Sequence, residues 1–175
     1  MQKKVFIGCG AGFSGDRFDA SLPIVKEFKN INEPKYLMFE VLAERTLAIA
    51  QQYRLKNPEE GYSPFLDSYI TPIIDDCLEN NIKIISNIGA ANPLGAAKRI
   101  LKIAKEQKIR KPKIGVVVGD DLLHYMSNDE ILESPTMEGL DFSNNQVTAA
   151  NVYLGAKPIA NALEKGADIV IVGRT

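Results

Sequence analysis

IGCGAGFSGDR, residues 7–17, is the stretch from which the fold of this 175-residue chain is best interpreted. It follows the short apolar run 4–7, which predicts a buried first strand, and it precedes a helical pattern. Its glycines leave the backbone free to take positive φ angles and to approach a ligand closely. The following helix would add unpaired N–H groups and the positive end of its dipole. The stretch therefore predicts an anion site at the end of a first strand.

The composition is ordinary for a soluble globular protein. Hydrophobic residues make up 45% of the chain and charged residues 25%, and the formal net charge is −1. This balance, and the lack of any run of Lys and Arg interleaved with aromatic residues, argue against a nucleic-acid partner. No apolar stretch approaches the ~18 residues that a membrane span needs. We expect a cytoplasmic protein with neither nucleic acid nor membrane as a partner.

Apolar runs alternate with helical patterns along the chain. Strands are predicted at residues 4–7, 35–39, 82–86, 113–118 and 168–172, and helices at 18–28, 42–55, 65–78, 93–104 and 154–165. Strands that are apolar on both faces and alternate with helices are typical of a parallel sheet. We predict one three-layer, Rossmann-like α/β domain over residues 1–175, with a mostly parallel sheet of about five strands.

A barrel is the alternative fold, because five βα units would also suit part of one. Residues 119–147 argue against a regular barrel, because polar residues, Pro135 and Gly139 predict an irregular excursion there. The chain stops at residues 173–175, immediately after a predicted core strand. We therefore expect a fragment, or one subunit of a split protein.

Ligands of parallel α/β sheets bind outside the carboxyl ends of the strands. The first of these loops contains Gly10, Gly12, Phe13 and Ser14, which match the dinucleotide fingerprint G-x-G-x-x-G. Asp16 weakens that match, because its carboxylate would repel a pyrophosphate. Dinucleotide binding is therefore an alternative to simple anion binding.

Two arginines near these loops are candidates for bidentate binding of a carboxylate or phosphate. Arg17 follows Asp16 and Arg45 follows Glu44, so a local ion pair at a solvated helix end is the competing interpretation of each. Asn87 lies at a strand end, where its amide would hydrogen-bond a carbonyl.

Asp120 and Asp121 follow the fourth predicted strand. Either carboxylate would serve as a general base or a Mg²⁺ ligand, and turn formation with helix capping is the equally weighted alternative. His124 is the only histidine, and we interpret it as a structural residue. Asn92 before Pro93 predicts a helix cap.

The two cysteines form neither a metal-binding nor a disulfide pattern. Cys77 lies on the apolar stripe of a predicted helix and is expected in the core. Cys9 is expected to pack as a small side chain under the glycine loop, with an activated thiol as the alternative.

The loop motifs resemble those of the acyclic terpene utilisation (AtuA) family. The resemblance covers nearly the whole chain and rests on residues 7–17, 42–46, 86–93, 119–123, 151–156 and 172–174. It implies a bacterial cytoplasmic protein associated with the breakdown of acyclic terpenes such as citronellol and geraniol, a pathway that runs on acyl-CoA intermediates. It also implies that the chain is the amino-terminal portion of a longer architecture. It supplies no reaction, cofactor or catalytic residue.

Three functions remain as hypotheses. The first is a catabolic enzyme, or an enzyme subunit, that acts on a small carboxylate or acyl-CoA compound, with Asp120 and Asp121 as its catalytic candidates. The second is a nicotinamide- or flavin-dependent oxidoreductase, and the third is a non-catalytic subunit that scaffolds a partner enzyme. The expected protein partner is a carboxy-terminal subunit or, in a homo-oligomer, another copy of the chain. The ligand-binding candidates are Gly10, Gly12, Phe13, Ser14, Arg17, Glu44, Arg45, Asn87, Asn92 and Arg174.

Overall fold

The computed structural model describes residues 4–137, 139 and 146–175 and confirms an α/β architecture with a parallel sheet. Its five strands are β1 Phe6–Ala11, β2 Lys35–Phe39, β3 Ile82–Ser86, β4 Ile114–Val116 and β5 Ile169–Ile171. All neighbouring strands are parallel, in the order β1-β2-β3-β5-β4. The barrel alternative is wrong, because β5 is inserted between β3 and β4 and the sheet has β1 and β4 as its edges.

The helices are α1 Ser21–Phe28, α2 Glu44–Lys56, α3 Leu66–Ile70, α4 Ile74–Glu79, α5 Pro93–Glu106, α6 Asn128–Leu132 and α7 Lys157–Glu164, with a 3-10 helix at Leu122–His124. Within the described ranges, none of these helices has the length and apolar character needed to cross a membrane. The 3-10 helix and α6 lie inside the predicted irregular excursion, of which residues 138 and 140–145 fall outside the described part of the chain.

The helices divide unequally between the two faces of the sheet. The main core lies on the face covered by α1, α3, α4 and α5, with Leu37 and Phe39 of β2 fully buried in it. A smaller core lies on the other face, where α7 packs against β4 and β5. Right-handed crossovers that advance in one direction place their helices on one face, and only the β4–β5 connection runs back. On this second face, β1 is therefore not covered by a helix of the described residues.

This arrangement corrects the prediction for the first strand. β1 spans Phe6–Ala11 rather than residues 4–7, and it is an edge strand. Val5 and Ile7 are 55% and 69% exposed, so the strand is not buried on both faces as predicted. Cys9 is also exposed, and the expectation that it packs under the loop is wrong.

The predicted helix 65–78 is broken into α3 and α4. Pro72 lies between them and cannot donate a backbone hydrogen bond, which explains the interruption. Cys77 lies in α4, where burial raises the pKa of its thiol to about 12. The prediction of Cys77 as a core residue is confirmed.

Asp168 ties together the amino ends of the last three strands. Its carboxylate accepts hydrogen bonds from the Arg110 guanidinium at 2.9 and 3.1 Å and from the backbone N–H of Lys113 at 2.9 Å. The Lys83 ammonium of β3 lies 3.3 Å away. These partners, Arg110 above all, hold the pKa of Asp168 well below its usual range. Asp168 thus links β3, β4 and β5 by charge at the end of the sheet opposite the strand-end loops.

At the carboxyl end of the sheet, the turn between β3 and α5 packs directly on the end of β5. A Cβ atom at Gly89 would lie 2.6 Å from the Val172 carbonyl oxygen and 2.8 Å from the Pro93 Cα. Ala90, next to it, takes a positive φ of 45°. Contact this close leaves no room for a side chain at Gly89.

Gly89→Ala should therefore lower the free energy of unfolding by about 1–3 kcal/mol, because both nearest atoms belong to the backbone and cannot rotate away. Urea unfolding monitored by circular dichroism measures the change. Gly12→Ala is the matched control, since its nearest atom would be 3.9 Å away. Equal stabilities of the two variants would contradict the close contact.

Candidate ligand-binding site

A cleft with a volume of about 640 Å³ lies among the loops that follow β2 and β5. The first turns of α2, the end of α6, the segment 146–153 and Arg174 form its walls. Most small-molecule sites have volumes of roughly 300–1,000 Å³. The cleft therefore has the size and the location of a ligand site in a parallel α/β protein.

Arg174 is the cation of this cleft. Its side chain is 12% exposed, and its guanidinium carbon lies 5.2 Å from the centre of the Tyr153 ring, within the range of a cation–π contact. Its Nη2 atom lies 3.4 Å from Oε1 of Glu44, whose side chain is 83% exposed. Among the described residues, Glu44 is the one carboxylate within ion-pair distance of the Arg174 side chain. A largely buried guanidinium is thus balanced by a single solvated carboxylate.

Asp120 holds two walls of the cleft together. Its carboxylate is buried, and one oxygen accepts hydrogen bonds from the Arg174 backbone N–H at 2.9 Å and from the Asn151 side-chain amide at 3.0 Å. Its main-chain carbonyl accepts a third from Val152. A Cβ atom at Gly173 would lie 2.5 Å from the same carboxylate oxygen, so only glycine fits beside it. Asp120 therefore fixes the positions of the Arg174 backbone and the Asn151 side chain.

Asp121 connects the same loop to α2. One of its carboxylate oxygens lies 3.2 Å from Nη1 of Arg54, which also donates to the Ala91 carbonyl at 2.6 Å. The other oxygen accepts from the Leu123 N–H at 3.1 Å and caps the 3-10 helix. His124 is exposed and lies 3.1 Å from Arg54. These contacts support the capping interpretation of Asp121, and a catalytic role for either aspartate stays a prediction.

No three His, Cys, Asp or Glu side chains come together as a metal site in the part of the chain that the structure describes. Because Mg²⁺ can be held by one or two carboxylates and water, the Mg²⁺ interpretation of the two aspartates stays a prediction.

The glycine loop is arranged around a carboxylate of the chain itself. Asp16 accepts hydrogen bonds from the Gly12 N–H at 3.0 Å and from the Arg17 N–H at 2.8 Å, and these bonds lower the pKa of its carboxyl. The helix α1 begins only at Ser21, so its N-terminus does not adjoin the glycines as the sequence suggested. The N–H group expected to bind an external anion already has an anionic partner.

The other candidates of this loop lie outside the cleft. Gly10 belongs to β1, where a Cβ atom would lie 2.5 Å from the Phe39 ring. Arg17 donates twice to Asp19, at 2.7 and 2.8 Å, and is exposed. None of Gly10, Gly12, Phe13, Ser14 and Arg17 lines the cleft.

The two asparagines link neighbouring loops. Asn87 donates to Glu40 at 2.8 Å and accepts from the Val41 N–H at 2.8 Å, which joins the ends of β2 and β3. Asn92 accepts from the Gly95 N–H at 2.9 Å, so the predicted cap of α5 is confirmed. Arg45 is exposed and does not line the cleft.

Of the predicted candidates, the structure brings Glu44 and Arg174 together in the cleft. Sequence reasoning missed α6, which contributes Ile131 and Leu132 to the wall. The missed signal is a capping box, in which Ser127 and Glu130 bond each other's backbone N–H groups.

The fold and the cleft define the class: an open, parallel α/β protein with a cleft beside the carboxyl ends of its strands. The chain belongs to the AtuA family, since the family model described as "Acyclic terpene utilisation family protein AtuA" matches residues 5–175. This match confirms the resemblance found in the loop motifs. Neither a curated protein nor a solved structure matches the chain.

Asp120→Ala should lower the free energy of unfolding by about 1–3 kcal/mol, because it leaves two donors without their acceptor. Chemical denaturation at neutral pH measures this loss. Asp75→Ala is the control, because Asp75 is an exposed carboxylate in the first turn of α4, and we expect a change within about 0.5 kcal/mol. A loss no larger than that of the control would show that Asp120 does not hold the loops together.

Proposed function

We propose that this protein binds an acyclic terpenoid carboxylate in the cleft described above, with the Arg174 guanidinium binding the carboxylate. Membership of the acyclic terpene utilisation family supports the terpenoid part of the proposal. The observation that carries it is the placement of Arg174, a largely buried cation whose ion-pair partner among the described residues is one exposed carboxylate.

The chemistry of Arg174 favours a carboxylate ligand. A guanidinium presents its donors in a planar fork that matches the two oxygens of a carboxylate. The cation–π contact with Tyr153 helps to orient this fork. Because the Arg174 side chain is largely removed from water, an oppositely charged partner stabilises it.

The walls of the cleft favour an apolar chain attached to that carboxylate. Leu47 and Ala48 of α2 lie on one side, and Ile131 and Leu132 of α6 together with Val147 supply further apolar surface. Burying the hydrocarbon part of a ligand against such walls supplies roughly 25 cal/mol for each Å² removed from water. A branched, ten-carbon acid fits this division into one charged end and one apolar body.

A free carboxylate suits the lining better than a CoA thioester does. Arg174 is the one cation among the described residues of the lining, and Glu44 opposes it there. The several phosphate charges of CoA call for a cluster of basic groups. In the catabolic role that we propose, as an enzyme or an enzyme subunit, the protein would therefore take the free acid as its ligand.

The dinucleotide alternative receives less support. Its loop follows β1, an edge strand, whereas the chain reverses its direction across the sheet beside β5. Ligands of open α/β sheets gather at such a reversal. Asp16, moreover, already accepts the Gly12 N–H bond that a pyrophosphate would need.

Arg174→Met should weaken the binding of geranate at least about tenfold, because a hydrogen-bonded charge is lost from a desolvated site. Isothermal titration calorimetry measures the affinity, and geraniol, the uncharged alcohol, should bind both forms equally. Lys26→Met, which removes an exposed cation of α1, is the control for net charge. Unchanged binding of geranate by Arg174→Met, or no binding by the unmodified protein, would contradict the proposed function.

A further inference from the structure

We infer that Glu44 is an internal counter-ion of Arg174, which a ligand carboxylate displaces, so that Glu44 sets the affinity and charge selectivity of the cleft. The inference rests on the proposed function and deepens it. It changes the role of Glu44 from a ligand-binding residue to a competitor of the ligand.

The two members of this ion pair differ in their surroundings. The Arg174 side chain is 12% exposed and that of Glu44 is 83% exposed. Their closest atoms are 3.4 Å apart, beyond the ~2.7–2.9 Å of a strong charge-assisted hydrogen bond. Arg174 is held by its surroundings, whereas Glu44 is free to turn into solvent. The exposed partner is therefore the one that a ligand displaces.

Glu44 is not needed to cap α2. The N-terminus of this helix is capped by Thr46, whose hydroxyl accepts a hydrogen bond from the Ala43 N–H at 2.8 Å. Glu44 occupies the first turn, where the positive end of the helix dipole favours a negative charge. Replacing it with glutamine leaves the capping bond intact, so a change in binding can be assigned to the charge.

A consequence is selectivity by charge. A carboxylate at Arg174 must break the contact with Glu44 and then lie close to that second negative charge. An uncharged ligand bound among the apolar walls neither breaks the contact between Arg174 and Glu44 nor meets electrostatic repulsion from Glu44. Since the described lining holds one cation and one carboxylate, the cleft accommodates a single negative charge better than two.

The test is a pair of titrations on the Glu44→Gln variant. It should bind geranate about two- to fivefold more tightly than the unmodified protein, as expected for loss of a weak exposed ion pair. Its affinity for geraniol should not change. Asp75→Asn, which removes an exposed first-turn carboxylate of α4 outside the cleft lining, should change neither affinity.

The outcomes separate this inference from the proposed function. If Arg174→Met binds geranate more weakly but Glu44→Gln binds it no more tightly than the unmodified protein does, the counter-ion role is wrong and the proposed function stands. Equal changes for geranate and geraniol would assign Glu44 a structural role and overturn the inference. If the unmodified protein binds neither compound, the proposed function fails. In that case the NMR chemical shift of the Arg174 Nε–H group in the free protein tests the ion pair. This chemical shift should change in Glu44→Gln if the two side chains are in contact, and an unchanged shift would overturn the inference.

Discussion

The candidate site depends on the hydrogen bonds that the buried Asp120 carboxylate accepts. It joins the loop after β4, the segment containing Asn151 and the residues after β5, which are far apart in the chain. A carboxylate buried to this degree is stable only when its oxygens are hydrogen-bonded. Gly173 permits the approach, because any side chain there would collide with the carboxylate. The position of Arg174 in the cleft follows from this single tie.

Sheet order explains why the site lies where it does. The chain advances from β1 through β3 to β4 and then returns to insert β5. The return brings Arg174, which follows β5, next to the first turn of α2, which follows β2. At the opposite end of the sheet, the Asp168 carboxylate and its basic partners Arg110 and Lys83 link the amino ends of β3, β4 and β5. The outer strand β1 and its glycine loop are left at the edge, away from this junction.

Much of the fold could be predicted from the sequence, because apolar runs such as 35–39 and 82–86 are short and have clear boundaries. The exposure of Ile7 could not, since it depends on which strand becomes the edge. Within the site, local rules identified the Asn92 cap and placed Glu44 and Arg174 near strand ends. Their pairing across 130 residues of chain is a tertiary contact that no local pattern encodes.

A crystal structure of the protein grown with geranate would show directly whether Arg174 binds the carboxylate. We predict the carboxylate of geranate within about 3 Å of the Arg174 guanidinium, with Glu44 turned away and the hydrocarbon chain between α2 and α6. Geranate bound at the glycine loop or elsewhere, with the contact between Arg174 and Glu44 unchanged, would contradict it.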